Sequence, residues 1–242
     1  MSKAEVVDIV VLNWNNKGYI EKCVESIHKN TDGEYNLIVV DQGSNDGTKE
    51  WLRDKGRLTR LIENEANVGA WEGRNQGVRE GKSDLIVFFD SDTEIRDSRW
   101  LQKILEAARD EKVGYVEARV QTWDGKYRFG GFASCLVKRA VFWDIGLFDR
   151  HFLIGGDNIF WVKFAWLDKW KIAWCDETDI FHYCGKTIVS GELKDGADGK
   201  TGKFYREELL RSIYTEYFLG RTVAKLNQRR YVEEQKRRWR EP

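Results

Sequence analysis

The sequence has a single proline, Pro242, and no apolar run of the roughly 20 residues needed to span a bilayer. It also has no net charge, because 40 lysine and arginine residues balance 40 aspartate and glutamate residues. No chain-wide electrostatic signal therefore favours nucleic acid as a partner. Four scattered cysteines without a CxxC pair, and a first segment without a signal-peptide pattern, predict a cytoplasmic protein with reduced thiols.

Short apolar runs alternate with helical patterns through the first hundred residues. Strands are predicted over 6–12, 35–40, 58–62 and 85–89, and helices over 18–29, 48–55 and 70–80. This alternation predicts an α/β fold with a mostly parallel central sheet flanked by helices. Polar residues follow three of the strands at their carboxyl ends, which is the edge where open parallel sheets bind ligands.

The pattern changes beyond residue 97. Helices are predicted over 100–109, 139–145, 158–167 and 204–226, and strands over 114–120, 132–137 and 172–174, followed by a further apolar element that ends at residues 179–182. The segment 190–203 is rich in glycine and charge, which favours a mobile surface loop. No linker separates two independent domains.

The apolar run LIVFF leads straight into two carboxylates, Asp90 and Asp92. Two close anions repel each other, and burial at the end of a strand adds a desolvation penalty. We therefore expect a cation that the sequence does not supply to complete the pair. A solvated turn is the structural alternative.

Four motifs carry a family resemblance: VVDQGSNDGT (39–48), NVGAWEGRNQG (67–77), FFDSDTEI (88–95) and FGGFASCLVKRAVFWDIGLFDRHF (129–152). In this order and spacing they resemble family 2 glycosyltransferases of the GT-A fold, over about residues 6–186. The resemblance implies an inverting, metal-dependent transfer of a sugar from a nucleotide-diphosphate donor, with UDP-sugar favoured, to an acceptor hydroxyl. It also implies one domain over 1–220, with a donor half to about 97 and an acceptor half over 98–220.

The resemblance assigns the metal ligands. Asp92 corresponds to the aspartate that usually ligates the ion directly, and Asp90 is the second candidate. His182, in IFHYCGKT, matches a third ligand position. Carboxylate oxygens are hard ligands that suit Mn²⁺ or Mg²⁺, and neutral imidazole completes such a set. A purely structural histidine is the alternative for His182.

The nucleotide pocket is expected at the ends of the first two strands. Asp41 matches the family aspartate that accepts a hydrogen bond from the base, and Asn13 and Asn15 are expected to line the pocket. Gln42 stands where the family usually has asparagine. An aspartate that caps its own loop is the alternative for Asp41.

The diphosphate is expected at the start of the third helix. Arg74 lies in a stretch that resembles the family's ARNxG, and a guanidinium there can form charge-assisted bonds to phosphate. Gly69 and Gly73 would let the backbone approach the ligand closely. A surface arginine beside helix-start glycines is the alternative.

The acceptor half supplies the candidate base. Asp157 matches the aspartate of the family's ED pair, although Gly156 replaces the glutamate, and an N-cap of the next helix is the alternative. Gly131, Trp123 and Trp161 correspond to positions where the family builds its donor-sugar and acceptor walls. Core packing is the alternative for Trp161.

Two other functions share the architecture: a nucleotidyltransferase, and a non-catalytic relative that binds nucleotide or glycan. The basic segment 221–242 has three interpretations, namely a solvated helix, a helix on anionic lipid, or a phosphate-binding helix. The corresponding acceptors are a glycan, a lipid-linked glycan or a modified nucleic acid. The lipid interpretation predicts peripheral contact at the inner membrane surface.

Overall fold

The computed structural model describes residues 5–129, 131–149 and 157–183. The helices are α1 Lys17–Asn30, α2 Thr48–Lys55, α3 Ala70–Glu80, α4 Trp100–Ala107, α5 Arg139–Ile145 and α6 Asp157–Leu167. The strands are β1 Val7–Asn13, β2 Tyr35–Asp41, β3 Arg60–Glu63, β4 Leu85–Asp90, β5 Thr93–Ile95, β6 Val113–Thr122, β7 Tyr127–Phe129, β8 Ser134–Lys138 and β9 Lys171–His182. A 3₁₀ turn spans Gly131–Ala133.

The strands form one sheet in the order β3-β2-β1-β4-β8-β6-β9-β5, with β7 paired to β6. Strands β3, β2, β1 and β4 are parallel, as the alternation of strands and helices predicts. Strand β8 lies antiparallel between β4 and β6, and β9 runs parallel to β6. The sheet is therefore parallel in its first half and mixed in its second.

Helices cover both faces of the sheet, and successive strand residues alternate between two hydrophobic clusters. Ile9 and Val11 of β1 pack in the cluster that includes α1, α2 and α4, whereas Val10 packs in the cluster that includes α3, α5 and α6. This burial on both faces explains why the first strands are continuous apolar runs.

Three details differ from the sequence-based prediction. The strand predicted over 132–137 begins only at Ser134, because the chain first makes a 3₁₀ turn in which Gly131 has φ 55°. The strand predicted over 172–174 and the apolar element that follows it are one strand, β9, with a register shift opposite Ala118 and Val120. Strands β5 and β7 were not predicted, since three residues are too few for a periodic signal.

Several predictions lie outside the described residues: the loop at 190–203, the helix at 204–226 and the basic segment 221–242. The domain limits at 1–220 also stay a prediction. Among the residues that the structure describes, no helix has the length and apolar character required to cross a membrane.

Candidate functional site

The loops after β1, β2 and β4 meet at one edge of the sheet. The register pairs Asn13 with Asp41 and Leu12 with Asp90, so these positions end neighbouring strands. Backbone hydrogen bonds tie the loops together, since Ser91 N donates to Leu12 O at 3.1 Å and Gln42 N donates to Asn13 O at 2.8 Å. The convergence expected from the parallel sheet is confirmed.

Asp90, Asp92 and His182 form a compact cluster at this edge. One ligand atom from each residue lies within 4.8 Å of the others, and His182 Nε2 is 3.1 Å from Asp92 Oδ1. The pairing of β5 with β9 brings His182 here, because Thr93 is in register with His182 and Tyr183 N donates to Asp92 O at 2.9 Å. Two carboxylates and an imidazole this close fit a divalent cation such as Mn²⁺ or Mg²⁺.

Arg74 is an ion-pair partner of this cluster. Its Nη2 donates to Asp90 Oδ1 at 2.6 Å, and its Cζ lies 4.9 Å from the Trp71 ring centroid. The chain itself supplies one positive charge to the acidic pair, because Arg74 contacts Asp90, and the external cation expected from the sequence stays a prediction. Arg74 Nε is buried without a hydrogen-bond partner in the described ranges, so one donor remains for a ligand.

The electrostatics of the cluster favour added positive charge. Burial raises the pKa of Asp90, against the opposing effect of Arg74, and the neighbouring Asp92 raises it further. Burial lowers the pKa of His182, but the hydrogen bond that His182 Nε2 donates to Asp92 and the charges of both carboxylates outweigh this effect, so the pKa is raised overall. Both shifts have the sign of a crowded acidic site.

Asp41 is fully buried and holds its own loop. Its Oδ1 accepts from Ser44 Oγ at 2.5 Å and Asn13 Nδ2 at 3.2 Å, and its Oδ2 accepts from Ser44 N at 2.8 Å. These contacts are those expected of an aspartate that caps its own loop, which was the structural alternative for Asp41. Asn15 has φ 45° and accepts from Asn45 N at 2.8 Å, which fastens the β1 loop to the β2 loop. Asn13 Oδ1 is buried and unpartnered among the described residues, which leaves an acceptor for a ligand.

Gln42 connects β2 to the segment that leads into α3, a role that the sequence did not reveal. Its Nε2 donates to Gly69 O at 3.1 Å, and its Oε1 accepts from Asn64 Nδ2 at 3.1 Å and from Val68 N at 3.2 Å. A Cβ at Gly73 would lie 1.9 Å from Gln42 Nε2. Gly73 thus leaves space for the Gln42 side chain. The only indication of this role in the sequence was that position 42 departs from the asparagine usual in the family.

The acceptor-side residues lie on the face of the sheet that α6 covers. Helix α6 begins at Asp157, and Gly156 lies outside the described residues. Trp161 is partly buried, with its ring 4.6 Å from that of Tyr115, so it packs against the core as the structural alternative requires. Gly131 N donates to Glu117 Oε1 at 2.8 Å, a contact that no motif indicated.

Comparison with known proteins identifies the family. The sequence model of the family described as Glycosyl transferase family 2 matches residues 8–162, which is more than half of the chain. The chain belongs to glycosyl transferase family 2. The chain is 27% identical, over 66% of its length and 60% of the relative's length, to the glycosyltransferase AglE of Haloferax volcanii.

Solved structures give the same fold. TarS 1-349 of S. aureus in complex with UDP-GlcNAc matches with a TM-score of 0.65 at 19% identity, covering 83% of this chain and 63% of TarS. The mannosyltransferase PcManGT from Pyrobaculum calidifontis, in complex with GDP-Man and Mn²⁺, matches with a TM-score of 0.60 at 19% identity, covering 76% and 59%. The predicted GT-A fold is confirmed. The chain covers less than two thirds of the length of each of these relatives.

Proposed function

We propose that this protein is an inverting, metal-dependent glycosyltransferase that uses a nucleotide-diphosphate sugar. The observation that carries the proposal is the Asp90, Asp92 and His182 cluster at the edge where the β1 and β2 loops also end. Membership of glycosyl transferase family 2 supports the reaction class.

The donor is proposed to be a UDP-sugar. Asp41 and Asn13 would recognise the base, and the unpartnered Asn13 Oδ1 supports a hydrogen bond to it. Arg74 and the backbone at Gly69 would contact the diphosphate, which the unused Arg74 Nε supports. The two structural neighbours described above hold UDP-GlcNAc and GDP-Man, so the nucleotide is the part of this assignment that needs measurement.

The metal would be held by Asp92, Asp90 and His182, whose close ligand atoms fit Mn²⁺ or Mg²⁺. A bound divalent cation offsets the negative charge that develops on the leaving diphosphate. The Mn²⁺ in the PcManGT complex supports this choice of ion. Arg74 contributes a further positive charge beside Asp90.

The proposed reaction is a single displacement. The acceptor oxygen forms a bond to the anomeric carbon, and the bond from that carbon to the diphosphate oxygen breaks with its electron pair leaving on the nucleotide. The configuration at the anomeric carbon inverts. Asp157 takes the proton of the acceptor hydroxyl, and its place in the first turn of α6 favours the ionised carboxylate that this role needs.

The test combines donor binding with turnover. Wild-type protein is mixed with UDP-glucose, UDP-GlcNAc or GDP-mannose, with and without Mn²⁺, and the Tm and the release of nucleoside diphosphate are measured. We expect at least one donor to raise Tm, with a larger shift when Mn²⁺ is present. The Asp157→Asn variant should keep that shift and lose at least about 100-fold in release rate, because a general base contributes about this much or more.

Asp168→Asn is the matched control for this experiment. It is the same substitution just beyond the other end of α6, at an exposed residue whose φ of 47° asparagine tolerates. Its Tm shift and release rate should equal those of the wild type. Normal turnover by Asp157→Asn would contradict the base assignment. A donor-dependent Tm shift without any release would favour the non-catalytic relative, and release of pyrophosphate from a nucleoside triphosphate would favour the nucleotidyltransferase.

A further inference from the structure

One face of the β6, β7 and β9 strands presents aromatic and charged side chains beside the proposed catalytic site. We propose that this surface, defined by Glu117, Arg119, Tyr127 and Trp174 and called here the aromatic wall, binds an uncharged oligosaccharide acceptor. The inference rests on the proposed function and specifies the acceptor of that reaction.

The strand register places these residues on a common face. Val116, Ala118 and Val120 of β6 belong to the cluster that includes α1 and α4, so the alternate residues Glu117 and Arg119 point to the opposite face. Glu117 is in register with Trp174 on β9, and Tyr127 on β7 is in register with Gln121. Side chains at paired positions lie on the same face of a sheet.

Two rings of the aromatic wall are open to solvent. Trp174 is 58% exposed and Tyr127 is 56% exposed. The Arg119 guanidinium lies over Tyr127, with Cζ 4.7 Å from the ring centroid. Arg119 Nε is buried and has no hydrogen-bond partner in the part of the chain that the structure describes, so the stacked guanidinium retains donor capacity.

The aromatic wall is continuous with the metal cluster. Glu117 is in register with Cys135 of β8, which is in register with Phe88 of β4. Asp90 lies two residues beyond Phe88, so it is on the same face of the sheet as Glu117. Two strand spacings and two residue steps separate Glu117 from Asp90, which is about 12 Å along the sheet. A chain of several sugar rings bound on the aromatic wall would reach the cluster at Asp90.

The chemistry of the surface favours a neutral polyol. An exposed ring offers an apolar face to the C–H groups of a pyranose, while Glu117 and Arg119 offer an acceptor and donors to its hydroxyls. In the hairpin that joins β6 to β7, Lys126 and Arg128 both pair with Asp124. Asp124 offsets one of these two positive charges, and Glu117 opposes the charge of Arg119, so the surface keeps a single net positive charge, too little to favour nucleic acid or anionic lipid as the occupant. The rings are also separated by polar residues rather than joined in one apolar patch.

The test uses a glycan array probed with fluorescently labelled full-length chain, followed by calorimetry with the oligosaccharide that gives the strongest signal. We expect the wild type to bind a defined set of neutral oligosaccharides. Trp174→Ala and Tyr127→Ala should each raise the Kd at least tenfold. Trp166→Ala is the matched control, because Trp166 is 39% exposed on α6, on the side of the helix opposite Phe160 and Phe164, and its loss should leave Kd unchanged.

The outcomes separate this inference from the proposed function. Binding to no neutral glycan, an unchanged Kd in both wall variants, an equal loss in Trp166→Ala, or binding only to vesicles of phosphatidylglycerol would each overturn the aromatic wall. The donor-dependent Tm shift should be the same in Trp174→Ala as in the wild type. If no donor shifts Tm while glycan binding still depends on Trp174, the proposed function fails and the wall stands.

Discussion

At the scale of single residues, a guanidinium and an imidazole from distant parts of the chain contact the acidic pair after β4. Arg74 of α3 forms an ion pair with Asp90, and His182 at the end of β9 contacts Asp92. His182 adds a positive charge only when it is protonated, so Arg74 alone does not balance the two carboxylates. An incoming divalent cation has to share Asp90 with a guanidinium, and the same guanidinium is available to the donor diphosphate.

Arg74→Met tests this competition. Removing the guanidinium leaves Asp90 without its ion-pair partner, so we expect Mn²⁺ alone to bind more tightly, by about threefold or more, because a positive charge next to the site is lost. The Tm shift with UDP-sugar and Mn²⁺ should shrink, since a charge-assisted bond to the diphosphate is lost. Calorimetric titration with Mn²⁺ and a thermal shift with donor give the two readouts.

Arg79→Met is the control for Arg74→Met. It removes the same side chain from the same helix, where Arg79 pairs with Glu72 instead of the cluster. Both readouts should match the wild type. An unchanged Kd for Mn²⁺ in Arg74→Met would show that Asp90 takes no part in holding the ion.

At the scale of elements, helix α3 is seated on β1 and β2 through a glycine. A Cβ at Gly73 would lie 1.9 Å from Gln42 Nε2 and 2.4 Å from Leu12 Cδ1, so α3 can lie this close only because position 73 has no side chain. The same Gln42 side chain binds the backbone of Gly69 and Val68 just before α3. The Gln42 side chain therefore positions both helix α3 and the loop before it, which is proposed to face the diphosphate.

Gly73→Ala should lower the free energy of unfolding by about 1–3 kcal/mol, because an added methyl group in a packed contact forces side chains or backbone to shift. The double variant Gln42→Ala with Gly73→Ala should recover part of the loss, since the space of the amide becomes free. Urea unfolding monitored by circular dichroism measures both.

Gly18→Ala provides the comparison, because a Cβ at this position of α1 would meet nothing within 4 Å. Its free energy of unfolding should be unchanged or up to about 1 kcal/mol higher, as alanine favours the helix. A Gly73→Ala variant as stable as Gly18→Ala would contradict the close packing of Gln42 on α3.

Elements with long or strongly periodic patterns could be predicted, and those defined by tertiary contacts could not. Helices α2, α3 and α5 have the predicted bounds, since apolar spacing and flanking residues specify them. Strand β5 has three residues and exists because β9 pairs with it. The same pairing brings His182 to Asp92, a contact between residues 90 positions apart that only the family resemblance suggested.

The site residues follow the same division. The order of the loops after β1, β2 and β4 follows from a parallel sheet, so the convergence of Asp41, Asp90 and Asp92 could be predicted. The Arg74 to Asp90 ion pair depends on how closely α3 packs, and the side chain of Gln42 depends on a space left by a glycine. Neither has a signature in local spacing.

At the scale of the whole molecule, a buried ion pair joins the first part of the chain to the second, at the edge of the sheet opposite the site. Arg139, at the start of α5, donates to Asp8 Oδ2 on β1 at 2.8 Å, and to the carbonyls of Ser83 at 2.5 Å and Val78 at 2.6 Å. Asp8 also accepts from Asn36 Nδ2 at 2.9 Å and from Ser83 N at 2.8 Å. Each charged group thus has several hydrogen-bond partners besides the ion pair, as a buried pair requires.

Arg139→Met should lower the free energy of unfolding by about 3–5 kcal/mol, because it leaves the Asp8 carboxylate buried without its counter-charge. Asp8→Asn should also lower the free energy of unfolding. The double variant should lose less than the sum of the two single losses, because once one partner is gone the ion pair is already broken. Arg53→Met is the control, because its pair with Glu63 is exposed and such pairs contribute at most about 1 kcal/mol. Urea unfolding followed by tryptophan fluorescence measures all four variants. Strictly additive losses, or an Arg139→Met loss no larger than that of Arg53→Met, would show that strand pairing of β4 with β8 and apolar packing join the two parts of the chain without help from this ion pair.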